Sequence, residues 1–514
     1  MKNIYIALGV AVVLILSGWY FSQNISSAPP AQAMQVVELK DGDTYDLTAS
    51  TVTKEINGVK YTMLAYNGSI PGPLLKIPQG AEVTINFKNE LGMNTLLHSH
   101  GVRMDNEFDG SQTSQEEMKS GETFSYKLKF PDVGVYWYHP HVREDYQQEL
   151  GLYGNYLVVS SDPDYWSPVN REVPLVLDDI LIEDGKINLD AKEANHALMG
   201  RFGNVMLVNG ETNYQLAVQK GEVVRFYITN VANTRPFNFT IKGAKMKLVG
   251  GDGGAYERGS WSDSVVLAPS ERAVVEVLFE NSGNYSIQNK TPEKTYALGS
   301  VIVSDESIST SYASDFGILK NHTQTIQSIN PFRQYFSKAP DKRIALTIDM
   351  MGMMGSGGHG AHMMPDGTMM SNSGMMMGGA PEGGIEWDDD MGAMNALSTP
   401  DSAQWHIVDQ DTGKRDMDID WILKRGEPVK IQIFNDPKSM HPMQHPIHFH
   451  GQRFLVVARD GVPQTNLVWK DTVLVKAGET IDILLDTSNP GVWMAHCHIA
   501  EHLEAGMMMK FRVE

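Results

Sequence analysis

Gln79-Gly80-Ala81-Glu82-Val83-Thr84-Ile85-Asn86-Phe87-Lys88-Asn89 is a glycine turn followed by a run whose apolar residues Val83, Ile85 and Phe87 fall on every second position. That is the period of a half-buried β-strand. The pattern returns as Lys220-Gly221-Glu222-Val223-Val224-Arg225-Phe226-Tyr227-Ile228-Thr229-Asn230. It is written a third time as Arg425-Gly426-Glu427-Pro428-Val429-Lys430-Ile431-Gln432-Ile433-Phe434-Asn435. A second element follows each copy. In the first it runs from Gly121-Glu122-Thr123 through alternating Phe124, Tyr126, Leu128 and Phe130 to Gly134-Val135-Tyr136-Trp137. The middle version runs from Pro269-Ser270-Glu271 to Gly283-Asn284-Tyr285-Ser286, and the last from Ala477-Gly478-Glu479-Thr480 to Gly491-Val492-Trp493-Met494.

Three similar all-β units follow from this, each with the short strands and Gly/Pro/Asn turns of a Greek-key sandwich or barrel. The 514-residue length agrees, at roughly 150 residues per domain. Gly80 to Gly221 spans 141 residues but Gly221 to Gly426 spans 205. A Met/Gly-rich stretch, residues 350–394, accounts for most of the excess.

Composition narrows the function. Apolar residues make up 42% and charged residues 20%, as in a folded globular protein. A net charge of −20 argues against a nucleic-acid partner, which calls for a basic face, and suits a protein that attracts cations. The single cysteine, Cys497, excludes an intramolecular disulfide and any C-x-x-C motif.

Ten of the 16 histidines lie in four motifs. These are His98-Ser99-His100, His139-Pro140-His141, His445-Pro446-Ile447-His448-Phe449-His450, and His496-Cys497-His498 continuing to His502 and Met507. Residues two apart on a strand point to the same face, so each His-x-His pair offers two imidazoles to one metal cluster. The pairs occupy equivalent places in the first and third units, whereas the middle unit has Tyr285-Ser286-Ile287 in the corresponding place. Eight paired imidazoles are therefore expected to converge between the first and third units, enough for three copper ions with positions open to oxygen. Cys497, between two of them, faces the other way. With His445 and His502 it supplies two imidazoles and a thiolate, and Met507 a weak axial thioether, which is the ligand set of a blue-copper site.

On these motifs the chain, over about residues 35–514, resembles the three-domain multicopper oxidases, the family of laccases and bacterial copper-efflux oxidases. The resemblance implies three cupredoxin-like domains and four coppers. Type 1 would take His445, Cys497, His502 and Met507, and type 2 would take His98 and His448. One type 3 copper would take His100, His139 and His498, and the other His141, His450 and His496. It also makes Cys497 the electron path from the type 1 copper to the cluster, where four electrons reduce dioxygen to two waters. Asp109 falls where the family often has a carboxylate beside the type 2 copper, which implies proton handling; Asp109-Gly110 is also an ordinary turn signal.

Three positions depart from the family pattern. Ser99 stands where many relatives have Trp. Leu503 stands where some bacterial members have an acid tied to proton supply. His441 stands, two residues before Met443, where the copper-efflux oxidases have an Asp in their substrate Cu(I) site.

Thirteen methionines lie between Met350 and Met394, with Gly abundant and no Lys or Arg. No strand or helix period runs through them, and thioethers are soft ligands suited to Cu(I). Met353, Met354, Met363 and Met364 join His441 and Met443 as candidate substrate Cu(I) ligands. The expected organisation is an export signal or membrane anchor over 1–34, cupredoxin domains over 35–163 and 164–305, a linker over 306–340, and a third domain over 341–514 carrying the 350–394 insert. Lys2 and the uncharged run Ile4 to Phe21, followed by Ala31-Gln32-Ala33, read either as a cleaved signal or as an anchor. Both readings place the body outside the cytoplasm, in the periplasm or on the outer face of the membrane.

The expected activity is oxidation of Cu(I) with dioxygen by a monomer, in copper tolerance, with no nucleic-acid partner. The alternatives are a laccase-like oxidase of phenolic or other organic donors, and a copper-sequestering protein.

Overall fold

The computed structural model describes residues 28–350 and 380–514, with a two-residue strand pair, His362–Met363 against Met369–Met370, between them. Among the described residues no helix is long and apolar enough to cross a membrane. Residues 1–27, most of the expected signal or anchor, lie outside the described residues. So do Met353, Met354 and Met364, and of Met363 only the backbone pairing is described.

Six principal sheets form three pairs, and the three copies of the opening sequence pattern occupy one position in three of them. Glu82–Asn89 lies parallel to Thr44–Ile56 and antiparallel to Thr123–Lys129. Val223–Asn230 lies parallel to Arg171–Ile180 and antiparallel to Arg272–Leu278. Val429–Asn435 lies parallel to Lys342–Met350 and antiparallel to Thr480–Asp486. In the first copy Val83, Ile85 and Phe87 are buried while Glu82 and Lys88 are exposed, so period-2 patterning sets the face.

The second repeated element also recurs in place. Gly134–His139 pairs with His98–His100, Gly283–Lys290 with Phe237–Ile241, and Gly491–Cys497 with His445–Phe449. Phe237, Phe239 and Ile241, all buried, therefore fill in the middle unit the strand that carries histidines in the other two. The middle unit keeps its own apolar core around Phe226, Phe239 and Val275. One continuous apolar cluster joins the first and third units, from Leu47 and Phe87 to Phe449 and Phe511. The histidine-bearing strands of the two units are brought together beside this shared core.

Part of the 350–394 stretch belongs to the packed body. Ile385 is buried with Ala268 and Leu474. Arg235 donates to the Trp387 carbonyl at 2.6 Å and to Asp388 Oδ1 at 2.7 Å.

Candidate metal centre

The strand registers bring the eight paired histidines together, all of them buried. His98 lies opposite His139, and His448 opposite His496. The rings of His100, His139 and His498 are 5.0–5.7 Å apart, centroid to centroid. Those of His141, His450 and His496 are 5.1–5.3 Å apart. His98 and His448 are 5.9 Å apart.

Hydrogen bonds on the outside of the cluster orient the rings. The Nδ1 atoms of His98, His139, His448 and His496 meet the backbone carbonyls of Asp109 (2.6 Å), Pro140 (2.7 Å), Asp471 (2.8 Å) and Cys497 (2.9 Å). His141 Nδ1 meets Gln112 Oε1 at 3.0 Å, and His450 Nδ1 meets Asp109 Oδ2 at 3.0 Å. Each of these six rings is thus fixed at one nitrogen and presents the other inward, the arrangement that prepares imidazole for a metal. The inward Nε2 atoms of His98, His139, His141 and His448 are buried without a hydrogen-bond partner, as are Nδ1 of His100 and both nitrogens of His498. Buried nitrogens in such number are costly without an electrophile to share, so the donor set fits copper. Burial, together with His450 for His98 and His496, pushes the imidazoles of His98, His450 and His496 down to about 3. They stay neutral and keep a lone pair.

The second centre is smaller. Sγ of Cys497 is 3.6 Å from His445 Nδ1 and 3.8 Å from His502 Nδ1, and the two nitrogens are 3.3 Å apart. Bonds of about 2.0 Å to nitrogen and about 2.3 Å to sulfur make a trigonal centre with edges of roughly 3.5 and 3.7 Å, so this triangle also fits a metal. Burial pushes the Cys497 thiol up; a cation at Sγ is what drives off its proton. Met507 is fully buried, and its carbonyl accepts the Cys497 N–H at 3.1 Å.

Asp109 is fully buried. Its Oδ2 accepts from Ser111 Oγ at 2.5 Å while facing His450, so it is no surface turn acid. His441 and Met443 are buried as well, and His441 Nε2 has no partner.

Four residues of these centres carried no signal that the sequence reading used. Asp471 meets His100 Nε2 with Oδ1 at 3.0 Å and lies 23 residues after His448, whose Nδ1 its carbonyl meets, with no motif of its own. Arg272, which pairs with Asp471, comes from the unit without histidine pairs. Glu144 lies 3.5 Å from His141 Nε2 with both carboxylate oxygens otherwise unpartnered; its position three residues after His141 was the one available clue. Trp405 stacks on His502 at 4.2 Å and meets His445 edge-on at 4.7 Å.

Trp405 is 1% exposed and its Nε1 donates to the Ala197 carbonyl at 2.9 Å. Trp405→Ala is expected to destabilise the copper-free protein by about 3–5 kcal/mol, read as a lower denaturation midpoint, with Trp405→Phe losing clearly less.

Comparison with known proteins is consistent across the chain. Three family models described as Multicopper oxidase match residues 48–163, 137–305 and 392–514. The multicopper oxidase mco of Staphylococcus epidermidis is 24% identical over 457 residues, covering 88% of this chain and 83% of that protein. Copper resistance protein A of Escherichia coli is 24% identical over 628 residues, covering 97% and 96%. The solved structure described as a multicopper oxidase from Campylobacter jejuni, a metallo-oxidase, superposes with a TM-score of 0.69 at 23% identity, covering 95% of this chain and 97% of that one.

Proposed function

Because the chain belongs to the multicopper oxidase family, we propose that it is an exported oxidase of Cu(I) serving copper tolerance. The balance is four Cu(I), one dioxygen and four protons to four Cu(II) and two waters. The observation that carries this donor is His441. Its buried, unpartnered Nε2 belongs to a ring 6.4 Å from Trp405, which in turn covers His445 and His502. With the Met443 thioether two residues on, it supplies soft and borderline ligands suited to Cu(I) on the donor side. The names of two relatives, a copper resistance protein and a metallo-oxidase, support the same reading.

We assign His445, Cys497, His502 and Met507 to the type 1 copper and His98 and His448 to type 2. His100, His139 and His498 are assigned to one type 3 copper, and His141, His450 and His496 to the other. Bound there, the four coppers of the family supply one-electron acceptance from the donor and four-electron reduction of dioxygen to water. The residues do the rest. Cys497 lies covalently between His496 and His498, so one tripeptide joins the two centres. Asp109 Oδ2, at His450, is the group to which we assign proton handling. The core joining the first and third units closes the cluster to bulk water.

Oxygen uptake by copper-loaded protein, fed with Cu(I) or with a phenol, tests the reading on three proteins. These are the intact chain, a His441→Ala variant, and a chain lacking residues 351–379 but keeping the packed residues 380–394. We expect Cu(I) to drive the faster uptake. His441→Ala should raise the KM for Cu(I) about tenfold with phenol oxidation unchanged, and the deletion should slow Cu(I) while sparing phenol. A phenol preference with both changes silent would favour a laccase-like enzyme. Tight Cu(I) binding without uptake would mean sequestration.

A further inference from the structure

The middle unit has no histidine pair, yet one of its side chains reaches the cluster. Arg272 opens the strand Arg272–Leu278 and is fully buried. Its guanidinium touches all three units. Nε donates to the Val135 carbonyl of the first unit at 2.7 Å. Nη1 donates to the Ser270 carbonyl of its own unit at 2.6 Å and to Asp471 Oδ1 of the third at 2.7 Å. Nη2 donates to Asp471 Oδ2, completing a two-pronged pair.

Asp471 and its neighbour Thr472 hold two cluster rings. Asp471 Oδ1 is 3.0 Å from His100 Nε2, and Thr472 Oγ1 is 2.9 Å from the same nitrogen. The Asp471 carbonyl meets His448 Nδ1 at 2.8 Å. The two imidazoles so held are stacked, with centroids 3.7 Å apart and planes 18° from parallel. The backbone makes room for the pair. Gly101, directly after His100, has φ +81°, and a Cβ there would lie 2.2 Å from Asp471 Oδ2 and 3.0 Å from Arg272 Nη2. Asp252 takes the Arg272 backbone N–H at 2.8 Å and Lys470 Nζ at 3.1 Å, and its Oδ1 lies 3.8 Å from Arg272 Nη1. The two-pronged contact of the guanidinium is made with Asp471.

We propose that Arg272 is a positioning residue of the trinuclear copper cluster, acting through Asp471 to set the orientation of His100 and His448. A carboxylate that must present one oxygen edge to an imidazole needs its own rotation fixed. A planar fork fixes it at both oxygens, which the single ammonium of lysine does not. The middle unit thus serves the cluster without supplying a ligand. The inference rests on the assignment of His100 and His448 as copper ligands.

Arg272→Lys and Asp471→Asn are compared with wild type for copper content, blue absorption, the type 2 electron paramagnetic resonance signal, thermal midpoint of the copper-free protein, and kcat and KM for the donor. We expect blue absorption to persist in both, with KM within about twofold. The type 2 hyperfine pattern should shift or cluster copper fall, and kcat should drop about tenfold or more. A normal wild type with an unchanged type 2 signal and kcat in Arg272→Lys overturns the inference alone. Loss of type 1 and cluster copper in parallel with the thermal midpoint also overturns it, since that marks a general structural role. Should Arg272→Lys not fold, the same split in Asp471→Asn supports the inference and its absence overturns it. A wild type without cluster copper overturns the ligand assignment and the inference together.

Discussion

Cys497→Ser is expected to lose all blue absorption and to oxidise donors at a rate lower by on the order of 10³ or more, as when one member of an interdependent constellation is removed. Serine keeps the volume and the strand, but its hydroxyl does not ionise to replace a thiolate. The side chain is fully buried, with Sγ 3.6 and 3.8 Å from two imidazole nitrogens, so nothing else stands near enough to take its place. No hydrogen bond of the cluster imidazoles uses the Cys497 side chain; His496 Nδ1 meets only its carbonyl, which serine keeps. The variant should therefore hold the cluster coppers and lose one copper ion per chain, as elemental analysis would show. Retained blue colour would remove Cys497 from the type 1 site.

Gly110→Ala is expected to bring its added methyl nearer to another atom than alanine would at any other described glycine. Gly110 has φ +72°, and a Cβ there would lie 1.9 Å from the Leu97 carbonyl oxygen, 2.6 Å from its carbon and 3.1 Å from His98 Cα. All three are backbone atoms, which do not rotate out of the way. The left-handed conformation and the overlap together should cost about 3–5 kcal/mol. The strand His98–His100 is what must shift, and Asp109, whose carbonyl orients His98, sits next to the substitution. Denaturation of the copper-free variant, together with its copper content after loading, checks both effects. A protein as stable as wild type, with full cluster copper, would contradict the geometry.

The parts of this architecture legible in the sequence are those written locally. Alternation in Glu82–Asn89, Val223–Asn230 and Val429–Asn435 marks three strands that prove equivalent in pairing. A two-residue spacing of histidines tells which imidazoles share a face. The family resemblance supplied the division among coppers; the shortest ring separations, His100 to His448 at 3.7 Å and His98 to His450 at 4.1 Å, run between the groups so divided. What stayed hidden depends on contacts across hundreds of residues. Asp471 meets His100 from 371 positions away, and Arg272 meets Asp471 from 199. No spacing rule relates such residues, because the fold alone brings them together. Trp405 is hidden for the same reason, as it meets His502, on the helix Ala500–Glu504, and His445 only through tertiary packing. The methionine-rich stretch misled in a milder way. Composition ran unbroken into residues 380–394, but Ile385 and Asp388 have packing and charge partners in the body.

The histidines we assign to the cluster are split between the two ends of the chain. Four lie at or before His141 and four at or after His448. Metal bound by both halves closes a loop of some 300 residues, in a protein whose lone cysteine can form no internal crosslink. In the loop-entropy treatment of crosslinks a closure of that length restricts the unfolded chain by roughly 5–6 kcal/mol. Copper bound by those residues is then expected to act as a reversible staple, seen as a higher thermal midpoint of the loaded than of the copper-free protein.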